Sequence, residues 1–450
     1  MSTTNNNTPL VLGTHRIGKL LMQYALPAIV AMTASSLYNI VDGIFIGHIG
    51  PFAIAGLALT YPLMNLAAAF GSLVGMGAST LVSVKLGQRD YQSANRVLGN
   101  VLVMNIVLGI GFSLLCFPFL DPILRFFGAS KDTLPYARDF MHIILLGNVV
   151  THMYFGLNAV IRSAGNPRMA MYVTLLSVVI NCVLAPTFIF GFGWGIKGAA
   201  WATVIAQIIS LALQIIYLLN PTRVLYFQKG IFRLKRDLVK GMLSIGLSPF
   251  LMNLCACLIV ILINRALKQY GGDTAIGAYG IINRVIFLFA MVIMGLNQGM
   301  QPIAGYNYGA RLFARVKSVT WLTIRWGVGV ATLGTLICQI FPHFIVGLFT
   351  TDTALIDVAV HGIHIVFAVF PIVGFQMVAT NFFLSINKPK IAIFLSLTRQ
   401  MLFLVPCLLI LPHFLETTGV WVSIPVADFV ASVLTAVMFA RVMKRFNNET

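Results

Sequence analysis

LLMQYALPAIVAMTASSLYNIVDGIFIG, residues 20–47, decides the fold. A helix crosses the hydrocarbon of a bilayer in about 20 residues, so this stretch is long enough to span. It carries one charge, Asp42. A carboxylate at the bilayer centre costs roughly 2.5–3.5 kcal/mol on insertion scales. Ser35, Tyr38, Asn39 and Asp42 follow i, i+3, i+4, i+7 spacing, so they line one helical face. A polar face in a membrane helix must look toward protein or water. Burial favours the protonated form of a carboxylate and a neighbouring cation favours the ionised form, which makes such a residue a proton or sodium switch.

The surroundings agree with a membrane reading. Of 450 residues, 58% are hydrophobic and 9% charged, with a mean hydropathy of +0.90; soluble chains are near 25% charged. Apolar runs of spanning length fall near 17–45, 53–83, 97–120, 136–161, 169–190, 197–219, 240–266, 275–302, 317–342, 357–386, 391–411 and 418–441. The expected fold is an all-α integral membrane protein of twelve transmembrane helices. Net charge is +18, but the basic residues cluster between apolar runs. They therefore speak for topology and against nucleic acid as a partner. With both termini in the cytoplasm, 23 of the 30 Lys and Arg lie inside and six outside, Arg284 being within a span. This predicts a multi-pass protein of the bacterial inner (plasma) membrane. Residues 1–14 lack a basic leader and read as a disordered cytoplasmic tail.

Sliding the chain on itself by 222 residues aligns Pro27 with Pro249, Asp42 with Asn264, Gly77 with Gly299, Arg89 with Arg311, His142 with His364 and Pro167 with Pro389. Each repeat holds six spans. Six is even, so the two run in the same direction, related by an axis along the membrane normal. The expected organisation is an N-lobe over 15–219, a cytoplasmic linker over 220–240, a C-lobe over 241–442 and a tail over 443–450. Two bundles rocking about a cleft describe a carrier rather than a channel or an enzyme.

Three charged residues are read as intramembrane: Asp42, Arg284 and Asp428. Arginine cannot discharge, so Arg284 needs a carboxylate, carbonyls or water, and Asp428 is one candidate partner. Asn39, Met64, Gln207, Asn253, Asn264, Asn283, Arg284, Met291, Gln298, Gln301 and Asp428 are candidate cleft residues. Met-rich walls tolerate varied substrates, though core packing is the commoner role of one methionine. Mid-span asparagines and glutamines equally serve to bond a neighbouring helix. The six cysteines read as apolar helix residues, and His361 with His364 lacks the ligands of a metal site. GSLVGMGAS, residues 71–79, suits close helix packing. There is no GxxxxGK[ST], HExxH or GxSxG, so neither a cofactor nor a metal is expected.

QGMQPIAGYNYGA (298–310), YNIVDGIFIGHIG (38–50), RSAGNPRMAM (162–171), NCVLAPTFIFGFGWGIKGAAWATVIAQ (181–207) and FPIVGFQMVATNFFLSINKPK (370–390) resemble the multidrug and toxic-compound extrusion (MATE) family. Within the family they are nearest its DinF-type branch. The resemblance implies two six-helix lobes and cation-coupled antiport of organic cations and other amphiphiles, by a protein working as a monomer. It also implies an N-lobe coupling network at Asp42, Asn158, Asn181 and Thr203, with Tyr38 beside Asp42. The branch often has an aspartate four residues after the span-five asparagine; here that residue is Ala185. One carboxylate alone suits H+ as the coupling ion, with Na+ the alternative. A lipid-linked oligosaccharide flippase of the same superfamily is the rival reading, and it requires a more basic cleft.

Overall fold

The computed structural model describes residues 8–448, which are helical but for short connections. Eight helices are long and apolar enough to cross a membrane, and two bent helix pairs, Leu134–Leu146 with Asn148–Ser163 and Thr353–Phe367 with Phe370–Ser385, raise this to ten. Two of the long helices are each two spans. Arg236–Gly309 breaks at Gly272, φ 65, and the run ending at Asn448 breaks at Glu416, φ 50. Among the described residues the count is therefore twelve. Spans one to six are Ile17–Gly47, Pro51–Gly87, Tyr91–Cys116, the first bent pair, Pro167–Gly191 and Gly195–Leu219. Spans seven and eight lie either side of Gly272. Span nine is Phe313–Ile340, span ten the second bent pair, and spans eleven and twelve divide at Glu416.

The backbone carries the repeat. Left-handed residues recur 222 positions apart: Gly50 and Gly272, Arg89 and Arg311, Gly165 and Asn387. Each marks a turn between spans. The same hydrogen bond closes the later turns in both halves, Asp90 N to Lys85 O (2.9 Å) and Leu312 N to Asn307 O (2.8 Å). The next turn repeats it with Asn166 N to Ile161 O (3.2 Å) and Lys388 N to Phe383 O (2.8 Å). Spans four and ten bend by 55° and 54°. At the first of the closed turns Asp90 caps span three through Ser93 N (3.0 Å) and pairs with Lys85 (3.2 Å). Partial burial opposes the charge, but the Ser93 bonds and the Lys85 ammonium outweigh it and hold the Asp90 carboxyl below the usual carboxylate range.

The compact units do not follow the lobe boundaries expected from the sequence. One unit holds the chain up to His15 and Val30–Phe250; the other holds Arg16–Ile29 and everything from Leu251 onward. The divisions fall inside spans one and seven, just after Pro27 and Pro249. Glycines explain why. In the first unit, a Cβ on Gly77 or Gly246 would strike backbone, the Met242 and Leu73 carbonyls respectively, so span seven lies directly on span two there. In the second unit, a Cβ on Gly299 would meet Ala25 N at 2.6 Å, and one on Gly295 would meet the Ile29 Cα at 3.0 Å. Gly77 and Gly299, the repeat-related pair, thus do the same work. Each lets a half-helix contributed by the other repeat approach closely.

The 220–240 segment is likewise no free linker. It belongs to the first unit, and its last residues, from Arg236, already begin span seven. Asn100, fully buried in span three, donates to Arg96 O (2.8 Å), Arg233 O (3.2 Å) and Ile231 O (3.3 Å), and it accepts from Lys235 N (3.0 Å). Asn95 accepts from Tyr226 N at 2.9 Å. Asn100→Leu leaves these backbone groups unsatisfied at about 1–3 kcal/mol each. The expected result is a lowered Tm with rapid proteolysis confined to the 225–236 region; unchanged proteolysis would contradict the clamp.

Both tail expectations change. Thr8–Thr14 is a helix with Leu12 fully buried, and that apolar burial orders part of the expected disordered tail. Residues 1–7 lie outside the described residues. The last helix continues to Asn448, past the expected boundary at 442, with Phe446 packed against Phe313; residues 449–450 lie outside. Arg399, which the charge count assigned to the cytoplasmic side, sits within span eleven in a π-helical turn, Thr398–Leu404.

Candidate functional site

Within the first unit, three spans bring Tyr38, Asn181 and Thr203 together. Asn181 Nδ2 donates to Tyr38 Oη (2.9 Å) and to Thr203 Oγ1 (3.0 Å), and the two hydroxyls share a bond of 3.0 Å. Thr203 spends its single proton on Ala199 O, 3.1 Å away. Tyr38 must therefore be the donor to Thr203. Every hydroxyl and side-chain amide proton of these three residues is thus committed, within the cluster or to Ala199 O, yet Asn181 Oδ1 is buried with no donor. Asp42 lies one turn along from Tyr38 on the same face. It is 8% exposed, and its Oδ1 also has no donor. Its charge reaches Tyr38, Tyr61 and Cys182. The site is thus rich in acceptors and short of protons. A buried carboxylate without a counter-ion demands one or must be protonated.

Asn158 does not join this cluster. Its amide donates to Ala170 O (2.9 Å) and Thr174 Oγ1 (3.3 Å), bonding span four to span five instead. Gln207 accepts from Thr151, and Met64 sulfur accepts from Thr60 at 3.6 Å. Asn39 is exposed. A groove of about 560 Å³ lined by Trp194, Trp201, Asp139 and Lys197 lies at the loop between spans five and six and does not include Asp42.

In the second unit, Asn253, Asn283 and Arg284 are exposed, Asn264 and Gln298 half-buried, and Met291 and Gln301 buried. Met291 and Gln301 are therefore part of the helix packing rather than an open wall. Asp428 does not pair with Arg284. Its Oδ1 accepts from Arg399 Nε at 2.7 Å, because the wide turn in span eleven carries the guanidinium onto span twelve. His361 and His364 bond Thr418 and Gln339.

The MatE family matches residues 27–187 and again 247–409, once on each repeat and over more than half the chain. The chain belongs to the MATE family of transporters. It is 28% identical over 412 residues to the multidrug export protein MepA of Staphylococcus aureus (strain N315), covering 91% of this chain and 90% of that protein. Among solved structures it resembles an outward-facing multidrug resistance MATE family transporter of the MOP superfamily, with a TM-score of 0.92, 22% identity and 99% of both chains covered. It also resembles a MOP superfamily transporter from Pyrococcus furiosus, described as having a binding pocket of reverse polarity, with a TM-score of 0.92 and 21% identity over 99% of this chain.

As a MATE transporter the chain is a multi-pass membrane protein of twelve helices in two lobes. Sequence reasoning missed Tyr61 and Cys182, which lie within reach of the Asp42 charge, Thr151 bonded to Gln207, and Arg399. The signal for Tyr61 was a hydroxyl just before Pro62 in mid-span. Arg399 was signalled by its place within the apolar run 391–411. Cys182 adjoins Asn181 and gave no signal of its own. His152 also went unremarked; it is 1% exposed, with Nε2 at 3.0 Å from Ala67 O, and reads as a bond between spans two and four.

Proposed function

We propose that the chain is a proton-coupled antiporter that exports organic cations and other amphiphilic compounds by alternating access, with both termini in the cytoplasm of a bacterium and as a monomer. The observation that carries this is the pair of buried oxygens, Asp42 Oδ1 and Asn181 Oδ1, left without donors beside a cluster whose own protons are spent. A proton arriving from outside neutralises Asp42, whose buried Oδ1 has no donor. The N-lobe then loses its attraction for a cationic substrate, which leaves outward. Reorientation inward releases the proton. Pro27 in span one, which cannot make the helical bond there, supplies a place for the helix to repack.

The names of the curated relatives support export of drugs as a class, and give less support to the flippase reading. One proton entering falls through about 2.3 kcal/mol per 100 mV. If one monovalent cation leaves per proton, no net charge moves and the pH gradient alone drives export.

The test is accumulation of a fluorescent organic cation in proteoliposomes. An imposed pH gradient should drive it equally in sodium and in choline media. Dependence on sodium at fixed pH would replace the proton with Na+ as the coupling ion, and absence of driven transport under either ion would defeat the antiport reading.

A further inference from the structure

The C-lobe holds a charged pair that the proton reading leaves unused. Arg399 stands one helical turn before Phe403, which lies 222 residues after Asn181. Arg399 itself corresponds to Ser177, so the C-lobe carries a permanent cation one turn before the position that carries Asn181 in the N-lobe. The pair is asymmetric. The Asp428 side chain is 8% exposed and that of Arg399 28%, so the carboxylate is the backing and the guanidinium the face. Nε is spent on Asp428, and the two Nη groups keep four N–H donors in a planar fork. Two hydroxyls flank the pair, each one turn from a charge. Ser396 and Ser432 are 6% and 2% exposed, and neither oxygen has a hydrogen-bond partner. Buried polar groups left unpaired ask for an explanation. The π-helical turn Thr398–Leu404 adds to it, since such turns are frequent at functional sites.

We propose that Arg399, held in place by Asp428, docks the carboxylate of zwitterionic or anionic amphiphiles, so that the C-lobe recognises an acid group on the substrate. The proposal rests on the transport reading above and names a substrate class within it. A cation could bind here only by displacing Arg399 from Asp428, whereas a carboxylate meets donors already oriented by the pair, with little ordering left to do. A guanidinium serving packing alone gains nothing from keeping its fork accessible inside a membrane protein, where an unsatisfied cation is expensive.

The experiment uses one dye in two forms, a xanthene amphiphile with a free carboxylate and its methyl ester, which is a simple cation. Both are offered to proteoliposomes of the wild type, of the Arg399→Gln/Asp428→Asn double variant, and of Arg399→Lys. The double variant keeps a neutral hydrogen-bonded pair in place of the ion pair, so the fold keeps its link between spans eleven and twelve. It should lose about tenfold in transport of the free acid, the scale of one charge-assisted bond to substrate, while ester transport stays within about twofold of wild type. Arg399→Lys, which keeps the charge without the fork, should fall between. An unchanged ratio of acid to ester transport in the double variant, whether both dyes are moved normally or both are lost, overturns the proposal. A wild type that moves neither dye overturns the transport reading and this proposal with it.

Discussion

Asp42→Asn is expected to abolish proton-driven accumulation and to weaken binding of a cationic substrate, with the fold intact. At one proton per monovalent cation, a gradient of about two pH units sustains about a hundredfold substrate gradient, since each unit is worth about 1.4 kcal/mol. The variant should sustain none. Asparagine has nearly the shape of the protonated carboxyl and carries no charge, so it mimics the protonated end of the cycle permanently. Removing a buried carboxylate that has no ion-pair partner should leave stability unchanged or raise it by about 1 kcal/mol. A large fall in Tm would show instead that the carboxylate is structural. Full-rate proton-driven accumulation would remove Asp42 from the coupling.

Gly246→Val is expected to have the largest effect on folding. Even a Cβ at this position lands on the Leu73 carbonyl, which belongs to the rigid backbone of span two and has no rotamer to move to. Overpacking of side chains costs about 1–3 kcal/mol. Here a backbone must shift, so a loss beyond about 4 kcal/mol and failure to recover folded protein in detergent is the expected outcome. Gly111→Ala is the control. Nothing lies within 4 Å of its Cβ, and it occupies a helix interior. It should be neutral or stabilise by roughly 0.5–1 kcal/mol. Recovery of Gly246→Val with wild-type Tm in size-exclusion and thermal unfolding would contradict the close crossing of spans two and seven.

The spans and the repeat were legible in the residues because both are written in local chemistry. Apolar length, loop charge and turn glycines all survive in one dimension, and Gly50 and Gly272 adopt positive φ where the 222-residue offset places them. The exchange of half-helices between units was not legible, because it depends on which backbones a glycine lets together, and that partner is distant in sequence. Pairs of repeat-related glycines such as Gly77 and Gly299 hinted at a shared role without naming it.

The site was legible unevenly. Asp42 and Tyr38 stood out from helical spacing alone. Asn181 and Thr203 came with the family resemblance, and their hydrogen bonds now join them to Tyr38. Asn158 came the same way but bonds Ala170 instead, a choice made by a local carbonyl that no spacing reveals. Arg399 was hidden by charge counting. Its place in the apolar run 391–411 calls for an intramembrane acid, which it meets at Asp428.

The most direct test of Asp42 as the proton carrier is a count of protons released when substrate binds. Purified protein in weakly buffered detergent solution is mixed with an organic cation, and the pH change is read with an indicator dye. The account predicts about one proton released per cation bound by the wild type, and none by Asp42→Asn. Binding without proton release in the wild type, or equal release from Asp42→Asn, would contradict it.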